Sequence, residues 1–90
     1  MIQNFKHKGL KQLYQDGKTK LLPKALVPKI EDVLTVLDVT TSMAALKLPG
    51  LHPLQGKRKG EWGVTITANW RIVFTIRDGD VCDVGYEDYH

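Results

Sequence analysis

Cysteine is nearly absent from this 90-residue sequence, which contains only Cys82. A single cysteine cannot form an internal disulfide, so the cysteine framework that stabilises many small secreted domains is excluded. No run approaches the roughly 18 consecutive apolar residues of a membrane-spanning helix, and the first residues lack the apolar stretch of a signal peptide. We therefore expect a cytoplasmic protein that does not act at a membrane.

Motifs for a metal or an organic cofactor are also missing. Cys82 has no histidine or second cysteine at metal-ligand spacing, and the sequence has neither a phosphate-binding glycine motif nor a nucleophile elbow. We therefore predict a protein that needs no metal and no cofactor, so that any chemistry depends on its own side chains.

Length and composition predict one domain that covers residues 1–90. A chain this short buries about 60 to 70% of its unfolded surface, which leaves no apolar material for a second core. Hydrophobic residues make up 42% and charged residues 26%, as in ordinary globular proteins. The 13 Lys and Arg exceed the 10 Asp and Glu, and the net charge of +3 favours a polyanionic partner without requiring one.

The first half of the chain has apolar residues at helical spacing. A short helix is predicted around residues 10–14, before Gly17, which can take the left-handed conformation that ends a helix. A second helix is predicted over residues 26–37, provided that Pro28 lies in its first turn. The hydroxyl groups of residues 40–42 can cap one further short turn.

From Leu51 onward the apolar period changes to two residues, which is typical of strands with one buried face. A strand over residues 70–77 meets Asp78 and Gly79, a strong hairpin signal, and returns from Val81. The predicted fold class is α+β, with two to three N-terminal helices packed on one face of a small antiparallel sheet.

The hairpin register has two alternatives. A strict two-residue turn sets Val73 opposite Val84. A shift by one residue sets Phe74 opposite Val84 and Ile72 opposite Tyr86, which gives a more apolar face. We favour the shifted register because register follows the buried face.

Two residues in the strand region are candidates for chemistry. His52 precedes Pro53, which restrains it to an extended backbone, and its imidazole can act as acid, base or phosphate ligand. A lone histidine beside a proline is, however, more often a turn or edge residue. Arg71 projects from an apolar strand, where it either forms a salt bridge with Glu87 or Glu61 or binds an anion such as phosphate.

The end of the chain places a carboxylate, a phenol and an imidazole together at Asp88, Tyr89 and His90. Most chain ends are solvated and inert, but a tail held by a preceding strand could form an acid and base pair. Lys57, Arg58 and Lys59 lie between two glycines and are predicted to form a flexible basic loop that holds a nucleic-acid backbone, unless the loop is simply solvated.

Five segments follow one another in the order and spacing of a known family: Phe5–Leu10, Leu51–Leu54, Asn69–Ile72, Asp78–Asp80 and Tyr86–His90. Together they resemble the HigB-type toxins of the RelE/ParE superfamily, and the resemblance covers the whole chain. It implies the RelE-like, microbial-ribonuclease-like fold of that superfamily. It also implies the toxin of a type II toxin–antitoxin module, which enters the ribosomal A site and cleaves translated mRNA without a metal.

The resemblance also implies partners and site residues. The partners are the ribosome with its mRNA and a cognate antitoxin, which we expect to be a DNA-binding helix-turn-helix protein. The catalytic residues would be His52, Arg71, Asp88, Tyr89 and His90. The family commonly has lysine where this chain has Gln55, with positive charge following at Lys57 to Lys59, and this departure puts one phosphate contact in doubt.

Two other functions remain open on the sequence alone. ParE-like relatives inhibit DNA gyrase by binding it, and such an inhibitor would not need the terminal residues Asp88 to His90. A basic RNA-binding module would use its histidines structurally and would cut no substrate.

Overall fold

The computed structural model describes residues 1–88, in which two helices pack on one face of an antiparallel sheet. The helices are α1 (Lys8–Asp16) and α2 (Val27–Val39). The strands are β1 (Leu51–Pro53), β2 (Trp62–Thr65), β3 (Trp70–Arg77) and β4 (Asp80–Asp88), in the spatial order β1-β2-β3-β4. This arrangement confirms the predicted α+β class.

Local interactions at His7 and Gly17 fix the two ends of helix α1. The His7 side chain caps it, because Nδ1 accepts the Leu10 backbone N–H at 3.2 Å. Gly17 ends it with φ of 69°, the left-handed conformation expected from the sequence. Leu10 and Leu13 are buried against the sheet.

Helix α2 has Pro28 in its first turn, as the sequence predicts, because a proline there removes no helical hydrogen bond. Its buried face consists of Val27, Ile30, Val33, Leu34 and Leu37. Ser42 then caps a single 3-10 turn at Met43–Ala45. Within residues 1–88, no helix is long and apolar enough to cross a bilayer.

The β3–β4 hairpin contains both of the registers considered above. Asp78 and Gly79 have φ of 52° and 83°, as a tight two-residue hairpin turn requires, and pairing is strict from Arg77 to Thr75. A bulge at Asp83, with φ of 55°, then shifts the register so that Ile72 faces Tyr86. The favoured register is therefore confirmed beyond the bulge.

The N-terminal segment runs parallel to β4 and extends the sheet, a feature that the sequence pattern did not reveal. Ile2 bridges to Val81, and Phe5 bridges to Val84. The Asn4 side chain accepts the Asp83 backbone N–H at 3.0 Å and donates to its carboxylate at 2.7 Å. The bulge is thus held from the first residues of the chain.

The two faces of the sheet differ in what covers them. One face, with Val64, Ile72, Phe74 and Val84, packs on both helices and forms the core. Because side chains alternate along a strand, the intervening residues point to the opposite side, which we call the open face. This face carries the side chains that are candidates for catalysis.

Candidate active site on the open face

Cross-strand pairing places His52 and Arg71 on the open face. His52 on β1 pairs with Gly63 on β2, which pairs with Val73 on β3, which pairs with Gly85 on β4. Arg71 is two residues from Val73 and therefore lies on the same face, one row further along. The fold thus brings together two predicted site residues that are far apart in sequence.

The His52 ring has a defined orientation. Its Nδ1 lies 2.9 Å from the Gly50 carbonyl oxygen, and because a carbonyl can only accept, Nδ1 carries the hydrogen of this bond. The ring lies against Gly63, where an added Cβ would sit 3.1 Å from Nε2. The absence of a side chain at residue 63 therefore makes room for the imidazole.

Arg71 forms the salt bridge to Glu87 that was one of its two predicted alternatives. Its Nε and Nη2 lie 3.1 and 2.9 Å from Glu87 Oε1, and its side chain is 16% exposed. The two residues are direct partners across β3 and β4. The salt bridge is therefore confirmed, and anion binding by Arg71 stays a prediction.

Arg58 connects the basic loop to the same carboxylate. Its Nε and Nη2 donate to Glu61 at 2.9 and 3.0 Å, and its Nη1 and Nη2 donate to Glu87, the latter at 3.1 Å. Glu61 precedes β2 and Glu87 lies on β4, so Arg58 reaches across the intervening strand β3. We call Arg58, Glu61, Arg71 and Glu87 the arginine network.

The basic loop differs from the flexible segment that its composition predicted. Gly56–Arg58 forms a 3-10 turn, and Arg58 attaches it to the sheet through ion pairs. Lys57 and Lys59 are exposed on either side. The loop therefore presents two lysines to solvent while its arginine lies on the open face.

The carboxylates of the network are held in their charged form. Burial alone raises the pKa of Glu87, but the hydrogen bonds from Arg58 and Arg71 outweigh it and lower that pKa below its ordinary value. The hydrogen bond from Arg58 likewise lowers the pKa of Glu61. The same bonds, to Glu61 first and then to Glu87, raise the pKa of Arg58. Glu61, Glu87 and Arg58 therefore stay ionised at neutral pH.

The last three predicted site residues follow the arginine network at the end of β4. Asp88 pairs with Trp70, whose ring packs against the core on the helix side, so the register directs Asp88 away from Arg71. Tyr89 and His90 lie outside the described residues. The strand therefore carries the chain past Arg71, and the predicted roles of its last three residues stay predictions.

The aromatic residues near this end are structural. Trp70 stacks on Tyr86 with ring centroids 4.8 Å apart and an interplanar angle of 19°. Tyr86 and Cys82 are both buried, as expected for core positions. In the described part of the chain, no three His, Cys, Asp or Glu side chains are grouped so that they could hold a metal ion.

Glu61 and Glu87 are the site residues that sequence reasoning considered only as possible partners of Arg71. The signal for Glu87 was its place in the shifted register, directly opposite Arg71. No periodicity indicated that Arg58 would join both carboxylates, because that contact depends on how the loop folds over the sheet.

Comparison with known proteins finds a family model and a relative that match this sequence. Residues 3–90 match the family model described as the RelE-like toxin of type II toxin–antitoxin system HigB. The chain is also 46% identical to a protein of Proteus vulgaris named Endoribonuclease HigB, over 92 aligned positions that cover all of both chains.

Solved structures share the fold at lower identity. The YoeB–YefM complex from Staphylococcus aureus contains a chain with a TM-score of 0.64 and 23% identity, covering 100% of this chain and 95% of that one. YafQ from E. coli has a TM-score of 0.62 and 16% identity, covering 99% and 92%. These solved structures thus share the α+β fold of this chain.

Proposed function

The chain belongs to the HigB family of RelE-like toxins from type II toxin–antitoxin systems, and we propose that it is a ribosome-dependent endoribonuclease that cleaves translated mRNA in the A site. The family match over residues 3–90 and the 46% identity to a protein named as an endoribonuclease support this activity. The observation that carries it is that His52 on β1 and Arg71 on β3 lie on the same open face of the sheet.

Cleavage of RNA by side chains alone needs three groups. A base takes the proton of a ribose 2′-hydroxyl, a cation stabilises the pentacoordinate phosphorane, and an acid protonates the leaving 5′-oxygen. The open face and the end of β4 offer an imidazole, guanidinium groups and carboxylates for these roles. The proposed reaction therefore needs no metal and no cofactor.

Each role has a candidate residue. Arg71 stabilises the extra negative charge of the phosphorane, and His52 acts as the acid or as a phosphate ligand. Asp88 or His90 takes the 2′-hydroxyl proton, and Tyr89 stacks on a base or orients the phosphate.

The orientation of His52 suits an acid. With Nδ1 bonded to Gly50, Nε2 is the nitrogen that we propose to carry the proton transferred to the 5′-oxygen. The fixed ring also avoids the entropy loss of ordering a mobile side chain during the reaction.

The basic loop is proposed to hold the RNA backbone. Lys57 and Lys59 are exposed beside the network, and Arg58 lies on the open face between them. Contacts of this kind depend on salt, because binding releases counterions from the nucleic acid.

The protein partner of a type II toxin is its antitoxin, and the YoeB–YefM complex is an example of such a pair among the structural neighbours. We propose that the antitoxin of this chain is a DNA-binding helix-turn-helix protein and that both act in the cytoplasm.

The test is to add purified protein to ribosomes programmed with a defined message and to map the 5′ ends of the products. The wild type should cut within the A-site codon, and His52→Ala and His90→Ala should each reduce the rate by about 10² to 10⁴. An intact message on ribosomes would refute the catalytic proposal, whereas equal cutting by the variants would refute the assigned residues only.

Two parallel assays separate the other functions. A gyrase inhibitor would block supercoiling of plasmid DNA and leave the message intact. A binding module would retain RNA in a salt-dependent manner without producing new 5′ ends.

A further inference from the structure

Two arginines from different parts of the chain converge on one oxygen atom. Glu87 Oε1 accepts from Arg71 Nη2 at 2.9 Å and also from Arg58 Nη1. Arg58 comes from the 3-10 turn after β1 and Arg71 from strand β3, so the two guanidinium groups reach the carboxylate from separate elements. This geometry is more specific than a surface ion pair.

We propose that Arg58 is a second phosphate ligand beside Arg71, and that Glu61 and Glu87 are positioning residues that hold the two guanidinium groups at the spacing of one phosphate. This inference rests on the proposed ribonuclease function; it assigns Arg58 to the phosphate that Arg71 binds and adds two residues that orient the arginines.

The two glutamates accept hydrogen bonds from different edges of the Arg58 guanidinium. Glu61 takes the Nε and Nη2 edge of Arg58, which fixes the plane of the guanidinium. Glu87 takes the outer edge formed by Nη1 and Nη2. The Nη1 and Nη2 edge can therefore donate to phosphate oxygens in place of Glu87, while Glu61 keeps the guanidinium of Arg58 oriented.

Charge and exposure favour this exchange. A phosphodiester carries the same single negative charge as Glu87, and its charge increases in the phosphorane, so the transition state competes best for the arginines. The side chains of Arg58 and Glu87 are 37% and 31% exposed, which lets RNA reach them.

The experiment measures single-turnover cleavage of ribosome-bound message by Arg58→Gln, Glu87→Gln and the double variant. We expect Arg58→Gln to slow the reaction by about 10² to 10³, as for loss of one transition-state donor. Glu87→Gln should slow it by about 10 to 100-fold through misplacement of both arginines, with a smaller change in the half-saturating concentration. The double variant should lose much less than the product of the two effects.

The matched control is Arg77→Gln. Arg77 pairs with Asp83 at 2.5 Å and is 61% exposed, so the substitution removes one arginine and one ion pair outside the network. Cleavage by this variant should equal that of wild type. Equal rates for Arg58→Gln and Arg77→Gln, or losses in the double variant within about twofold of the product, would overturn the proposal.

Folding is controlled separately. Arg58→Gln removes the ion pair between Arg58 and Glu61, so thermal melting is measured for every variant. If Arg58→Gln melts early, the variant with both Arg58→Gln and Glu61→Gln removes the unpaired charge and is used instead. The proposal predicts that the folded variant with Arg58→Gln and Glu61→Gln also cleaves slowly. Cleavage by this variant at the wild-type rate would overturn the proposal.

A binding measurement keeps the inference distinct from the proposed function. The ¹⁵N Nε–Hε resonances of Arg58 and Arg71 are followed while an RNA trinucleotide with blocked 2′-hydroxyls is added. Both should shift and saturate together, even if the wild type proves unable to cut messages on ribosomes. A shift of Arg71 without Arg58, or of neither, would overturn the two-arginine site.

Discussion

His7 lies edge-on against Tyr86, with ring centroids 5.7 Å apart and ring planes at 89°. The same imidazole caps α1 through Nδ1. Burial lowers the pKa of His7, and the cap requires an unprotonated Nδ1. A protonated ring would also place positive charge at the N-terminus of a helix, where it is unfavourable. Folding therefore favours the neutral form of this residue.

The first prediction concerns stability against pH. The pKa of His7 is lower in the folded than in the unfolded chain, so the unfolded state binds more protons once the pH is lowered below about 6.5. The free energy of unfolding therefore decreases as the pH is lowered, until the pH lies below the folded pKa. His7→Asn keeps a capping oxygen and should lose this dependence. Urea unfolding at about pH 7.5 and about pH 5.5 tests this, and equal losses in both proteins would contradict it.

The second prediction concerns the space beneath His52. An alanine Cβ at residue 63 would sit 3.1 Å from His52 Nε2 and 3.3 Å from Leu54, so Gly63→Ala should displace the imidazole. We expect cleavage to slow by about 10 to 100-fold. Gly85→Ala is the control, because its Cβ would instead approach Val73 at 3.2 Å in the same row. Equal losses from both substitutions would show that crowding of the sheet, not displacement of His52, slows the reaction.

The third prediction concerns the buried hydroxyl of Tyr86. Among residues 1–88 it has no hydrogen-bond partner, and burial of such a group is unfavourable. Tyr86→Phe keeps the ring on Trp70 and should leave the free energy of unfolding unchanged or raise it by up to about 1 kcal/mol. Urea unfolding measures this. A clear loss of stability would contradict the prediction.

Much of the fold was predictable because local rules decide it. Gly17, Pro28 and the Asp78-Gly79 turn each have a conformational preference that the structure satisfies. The shifted register was also predictable from the buried face, but its cause was not. The bulge at Asp83 depends on Asn4, 79 residues away, and no local pattern reports a contact of that separation.

The site was predictable in its members more than in its arrangement. His52 and Arg71 were distinguished by a proline and by charge in an apolar strand, and the sheet brings them to one face. The union of Arg58 with Glu61 and Glu87 was not predictable, because it depends on a loop that crosses β3. The shifted register, by contrast, already indicated that Glu87 would lie opposite Arg71.

The pairing of the N-terminal segment with β4 bears on self-association. Its four backbone hydrogen bonds, to the N–H and C=O groups of Val81 and Val84, occupy an edge that could otherwise recruit a strand from another molecule. The opposite edge, β1, is only three residues long and ends at Pro53, which lacks a backbone donor. Both borders of the sheet are thus poor templates for aggregation, and loss of the first residues would expose one of them.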